Sequence, residues 1–233
     1  MKIVGFILFL ATAVQAQNFE LRIQAKTVVP GKKIYLEYIN ELGKSVKIDS
    51  AAPSAQNKVS FKGQVKDQGA FYLVNFFDTP KPQKVLVILE GGETIDIVAD
   101  GVNDEEGKGN FTMKGDYPNV KYMLDLMAIS KEMEVKVRKW NQEIQVDQKQ
   151  EKRIQAAFTQ AQAASTANIK GMIPLMGSNL VVLWATNFLP AEKEMAMLTE
   201  IADRLGKARP AHPQVQQFVN NLQRLQQGVL RER

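Results

Sequence analysis

Few residues of this chain combine types and spacings that could do chemistry. His212, in Ala-Arg-Pro-Ala-His-Pro (208–213), is the one histidine. An imidazole acts as a general base when a nucleophile lies within hydrogen-bond reach, and triads assemble by geometry rather than chain order. Lodged between two prolines with no nucleophile near it in sequence, His212 reads as a turn residue between helices. Asp100, Asn103, Asp104, Glu105 and Glu106 form an oxygen-rich loop of the kind that suits Ca²⁺. Their spacing lacks the Asp-x-Asp-x-Asp-Gly order with its distal Glu, so a solvated loop tip is the plainer reading. Gly91-Gly92 and Gly107-Lys108-Gly109 do not stand between a strand and a helix as a phosphate loop requires, and they read as turns. The chain has no cysteine, which removes thiol nucleophiles, disulfides and Cys-ligated metals. These residues assign no catalytic group, no metal ligand and no cofactor.

What remains is surface. Phe71, Tyr72, Phe76 and Phe77 put aromatics on both faces of one strand. With Trp140 they form the candidate interaction surface, the alternative for the strand being that it packs under the helical half. Met123, Met127, Met133, Met172, Met176, Met195 and Met197 recur at helical spacing, more often the mark of a core than of an adaptable groove.

The net charge of +5 is not the signature of a nucleic-acid binder. Residues 17–116 carry 13 basic and 14 acidic side chains, and 117–233 carry 16 and 11. The excess is spread along helices beside acids, as in Lys136, Arg138 and Lys139 after Glu132 and Glu134, which is the pattern of a solvated face.

The elements that would position these residues divide the chain in two. Residues 1–16, with Lys2 before the apolar run Ile3–Val14 and Ala16 at the cleavage position, read as a signal peptide. Export to the periplasm or beyond follows, without a lipid anchor, as a product of 217 residues. Residues 17–116 carry about eight short β-rich segments near ten-residue spacing, with no helix between them, which favours an antiparallel β-sandwich. Its expected centre is a hairpin, Lys84–Leu89 and Thr94–Val98, turning at Gly91-Gly92. Residues 117–228 read as helices and 229–233 as a tail. The spacing places helices at about 118–145, 147–170 (interrupted at Gly171 and Pro174), 179–188, 190–206 (closed by Gly206) and from Pro213 onward. The class is α+β, a β-sandwich followed by an all-helical region.

The order of short motifs resembles a known family. Phe19–Ile23, KKIYL (32–36), KIDSA (47–51), VSFKG (59–63), FYLV (71–74), VLVILEGGETIDI (85–97) and FTMKGDYPN (111–119) follow one another. They resemble the N-terminal accessory domain of exported TlpA/ResA-type thiol-disulfide oxidoreductases. The stretches ANIKGMIPLMGSN (167–179) and PAHPQVQQFVNNLQRL (210–225) resemble the helical segment that follows it. In that family a linker near Gly228 leads to a thioredoxin fold with Cys-x-x-Cys, which has no counterpart in these residues. No family catalytic residue carries over, and disulfide exchange needs a thiolate. The expectation is a non-catalytic exported envelope protein acting through protein contacts, with a thioredoxin-like oxidoreductase as one partner the resemblance implies. Two alternatives stand beside it: the N-terminal part of such an oxidoreductase, and a small-ligand or glycan-binding sandwich using Tyr72 or Trp140 as stacking platforms.

Overall fold

The computed structural model describes residues 18–104, 107 and 109–231. The expected signal peptide, Glu105, Glu106, Lys108 and the end of the tail lie outside them. Among the described residues eight strands precede five α-helices. The strands are β1 (Asn18–Ala25), β2 (Ile34–Ile39), β3 (Ser45–Ala51), β4 (Lys58–Gln64), β5 (Ala70–Phe76), β6 (Lys84–Leu89), β7 (Thr94–Ala99) and β8 (Phe111–Lys114). They form two four-stranded sheets, ordered β4-β1-β7-β8 and β3-β2-β5-β6.

Alternation builds the layers. In β1, Phe19, Leu21, Ile23 and Ala25 are buried while Arg22 and Gln24 between them are exposed. The outer face of that sheet is polar and laced by ion pairs from Glu20 to Arg22 (3.1 Å) and Lys62 (3.2 Å). The second sheet is buried more deeply, β5 having only Leu73 short of full burial.

The antiparallel sandwich expected from sequence is present, with one exception in its pairing, and its expected centre needs correcting. The pairing is antiparallel except between β1 and β7, which run parallel. The expected hairpin does not form, because β6 is the edge strand of one sheet and β7 an inner strand of the other. Gly91 and Gly92, with φ of +105° and +93°, carry the chain from one layer to the next. The Glu93 carboxylate fixes that step by accepting the Glu90 and Gly91 N–H groups, both at 2.6 Å. A Gly-Gly pair permits positive φ in either geometry, so composition cannot tell a hairpin from a crossing.

The helices are α1 (Pro118–Val146), α2 (Glu151–Met176), α3 (Val181–Thr186), α4 (Ala191–Ala208) and α5 (Pro213–Arg231). Three boundaries differ from expectation. α2 continues through Gly171 and Pro174 to Met176 because its last turns bury Ile169, Ile173 and Met176, and tertiary burial outweighs a proline's missing bond near a helix end. α4 passes Gly206 and ends at Ala208, where Arg209 is bound from three sides. α5 runs on to Arg231, so the tail starts later than residue 229. The buried helix expected over 179–188 is α3, six residues long, extended by i to i−3 bonds from Asn187, Phe188 and Leu189.

The helices sit over one end of the sandwich. That end carries the β4–β5 turn (Lys66–Gly69), the β6–β7 step and the last residue of β2, whose carbonyl accepts from Gln214 at 3.1 Å. Val120, Met123, Leu126, Leu180 and Val215 join the strand side chains in one buried cluster.

The distal halves of α1 and α2 leave the sandwich as a two-helix arm. α1 is about 43 Å long at 1.5 Å per residue, yet its buried residues all lie within Asn119–Leu126. Further out Met133, Val137, Trp140 and Ile144 are only half-buried, while Val135 is 57% and Val146 88% exposed. Trp140 meets Phe158 edge-on, with ring centroids 6.3 Å apart. Trp140→Ala is expected to loosen the arm by about 1–2 kcal/mol, from one lost aromatic pair and part of its buried area. Hydrogen exchange would show faster exchange in the outer turns of α1 and α2, with β1 and β5 unchanged.

Candidate functional site at the sandwich–helix junction

A set of polar side chains with low exposure lies where the helices meet the sandwich. Glu90, the residue after β6, faces Arg209, the residue after α4, and the two form an ion pair with side chains 13% and 18% exposed. The Arg209 guanidinium also donates to the Ser178 carbonyl through Nε at 3.0 Å and to the Gln68 carbonyl through Nη1 at 2.9 Å. Asn119, in the first turn of α1, donates through Nδ2 to the second Glu90 oxygen. One carboxylate and one guanidinium therefore tie β6 to the starts or ends of α1, α3 and α4.

His212 completes the set. Its Nε2 lies 2.8 Å from the Gly69 carbonyl, and Nδ1 accepts from the Val215 N–H at 3.4 Å. It is indeed a residue between helices, but a buried one that also binds the sandwich. The turn it grips is unusual. Asp67 and Gln68 have φ of +54° and +62°, a region costly for residues other than glycine. The Tyr38 hydroxyl donates to Asp67 at 2.7 Å, and the Tyr72 hydroxyl accepts from the Lys66 N–H at 2.9 Å. Gly69 has no room for a side chain, since a Cβ there would lie 2.8 Å from a Leu180 methyl carbon.

The electrostatics follow from burial. Desolvation pushes the Glu90 carboxyl above its ordinary value, against Arg209, Asn119 and a Leu180 backbone bond that favour the charged form. Glu37, on β2, is buried too, and desolvation is again the largest influence. Here bonds from Asn75 (2.6 Å), Ser45 and Lys84 (3.3 Å) together win and hold its carboxyl below the ordinary range. Glu37 is thus a structural carboxylate on a sheet face, and Glu90 is one at a joint between elements.

The residues singled out from sequence do not gather here as a surface. Tyr72, Phe76 and Phe77 are 0% exposed and Phe71 is 9% exposed. Tyr72 packs with Phe19 at 5.7 Å and Phe76 with Phe77 at 6.2 Å. β5 is an inner strand, paired with β2 and β6 and packed through Tyr72 on the other sheet, and its side chains are buried along its length but for half-buried Leu73. The proposed aromatic patch is therefore core, and Tyr72 cannot serve as a stacking platform. Trp140 is half-buried, far along the arm from the other four. Met123 and Met176 are fully buried, and Met127, Met172, Met195 and Met197 pack on the core, while Met133 lies half-buried on the arm.

In the loop after β7, Asp100 pairs with Lys26 at 2.9 Å and accepts from the Asn110 backbone at 2.7 Å. Asn103 donates to the Lys81 and Pro82 carbonyls. Among the described residues, no three His, Asp or Glu side chains converge as metal ligands. No helix among them is long and apolar enough to cross a membrane.

Comparison with known proteins finds one family. Residues 19–105 match the model described as Domain of unknown function (DUF4369). No curated protein and no solved structure matches the chain. The DUF4369 match takes in β1 to β7 and stops in the loop before β8. The junction straddles its limit: Gln68, Gly69 and Glu90 lie inside the DUF4369 region, and Asn119, Arg209 and His212 outside it.

Sequence reasoning missed Glu90, Arg209 and Asn119. Glu90 and Arg209 lie 119 residues apart, and no local pattern joins them. The available signal was a charged residue ending an unbroken apolar run, just before the Gly-Gly step.

Proposed function

We propose that this chain is a non-catalytic module of an exported envelope protein, working through protein contacts, with the α1–α2 arm as its contact surface. The observation that carries this reading is the arm itself. It stands clear of the sandwich, keeps Met133, Val137, Trp140 and Ile144 only half-covered, and leaves Val135 and Val146 exposed. The junction anchors the root of that arm through Asn119, giving it a fixed direction. The resemblance to the accessory region of TlpA/ResA-type enzymes supports a thioredoxin-like oxidoreductase as the class of partner.

A photo-reactive residue placed at Val135 or Val146 in the native host tests this. Adducts with a discrete protein from the arm positions, and none from Ser60 on the polar sheet face, are the expected result. Absence of adducts from both arm positions would count against the reading, as would disulfide turnover by the purified chain.

A further inference from the structure

His212 makes two contacts that the arm does not use. It is 4% exposed, at the corner between α4 and α5. A carbonyl only accepts, so Nε2, 2.8 Å from the Gly69 oxygen, carries the hydrogen. Nδ1 is then the lone-pair nitrogen, and it accepts the Val215 N–H in the first turn of α5. The neutral ring uses both nitrogens. A second proton, on Nδ1, would set a donor against a donor inside a packed corner.

The charged groups around the ring act on that proton in opposite directions. Arg209, at the end of α4, repels it; Asp67, in the β4–β5 turn, attracts it. Glu90, at the end of β6, is engaged by Arg209 and Asn119. Residues 213–219 of α5 contribute no charged side chain. Burial is the leading cause that holds the imidazole below its ordinary value of 6.5, opposed by the Gly69 carbonyl and reinforced by Arg209.

We infer that His212 is an acid-operated latch on the first turn of α5: a proton taken up at Nδ1 expels the Val215 N–H and loosens that turn, while Nε2 keeps its bond to the Gly69 carbonyl. The turn at Lys66–Gly69 stays held throughout, because Arg209 and His212 Nε2 donate to its Gln68 and Gly69 carbonyls in either protonation state. The direction follows from linkage. The folded pKa lies below 6.5, so the open chain binds more protons in the interval between them. Closure is fully supported above 6.5 and is lost as pH falls through the folded value. The latch is independent of what the arm contacts.

The chain has one histidine, so a single imidazole signal reports this site by NMR. The expected result is titration below 6.5 together with faster exchange of the Val215 amide, by about tenfold or more between roughly pH 7.5 and 5 after correction for intrinsic rates, the Gly69 amide keeping its protection. Amides of β1 and β5 should keep their protection. His212→Gln, whose amide can donate to Gly69 but takes up no proton, should give a flat profile. Titration at or above 6.5, unchanged protection in the wild type, or the same acid loosening in H212Q would overturn the latch. Should H212Q fail to fold, the wild type decides: coincident midpoints for the imidazole and the Val215 amide support the latch, and separated midpoints overturn it.

Discussion

Arg209→Ala is expected to destabilise the protein by about 3–5 kcal/mol at neutral pH, the range for removing one partner of a buried pair. The loss has three parts. Glu90 is left as a largely buried carboxylate without its cation, and the Ser178 and Gln68 carbonyls each lose a donor. Chemical denaturation at pH 7 would measure the total. The penalty should shrink in acid. Without the guanidinium, the Glu90 pKa moves further up from a value burial has already raised. Between the unfolded value of 4.5 and that higher folded value, the mutant's native state binds more protons than its unfolded state. Its stability therefore rises as pH falls through the window. Pairing Arg209→Met with Glu90→Gln should recover part of the loss, because no charge is then stranded. A penalty under about 1 kcal/mol would mean that the pair behaves as an exposed one.

Gly101→Ala is expected to cost roughly 3 kcal/mol or more, combining backbone strain with overpacking. Gly101 has a φ of +86°, and a Cβ there would lie 2.3 Å from the Thr27 carbonyl oxygen and 3.1 Å from the Phe77 ring. Thr27 cannot retreat easily, since its own N–H is bound to the Asp100 carbonyl at 2.9 Å. Buried Gln83 closes the same corner, accepting from the Gly101 N–H at 2.6 Å and donating to the Asn110 carbonyl at 3.0 Å. Gly92→Ala is the control. It has a similar φ, +93°, with nothing within 4 Å of the added carbon, so only the backbone term remains. The difference between the two midpoints in urea isolates the steric contribution, and equal midpoints would refute it.

Much of the architecture was legible in the residues. The short β-rich segments read in residues 17–116 are strands, and in β1 and β4 the alternating sets, Phe19 to Ala25 and Val59 with Phe61, are the buried ones. The division placed between residues 116 and 117 falls at the start of α1. Aromatic burial was harder to read. A strand with large apolar side chains on both faces is compatible with an exposed patch or with burial on both sides, and the tertiary packing of β5 decides for the core. The candidate site was illegible for a different reason. Its members come from the β4–β5 turn, the end of β6, the start of α1 and the α4–α5 corner, and nothing periodic links them.

Sequence by itself determined which segments are strands and helices, and that the chain is α+β, because periodicity and turn residues are local properties. It also determined that no cysteine chemistry is available to these residues. Tertiary structure decided that β6 and β7 part company at the Gly-Gly step, that β1 and β7 run parallel, and that Glu90, Arg209 and His212 meet. Those outcomes depend on which buried surfaces and polar groups find partners across more than a hundred residues, and a charge or a glycine carries no mark of its distant neighbour.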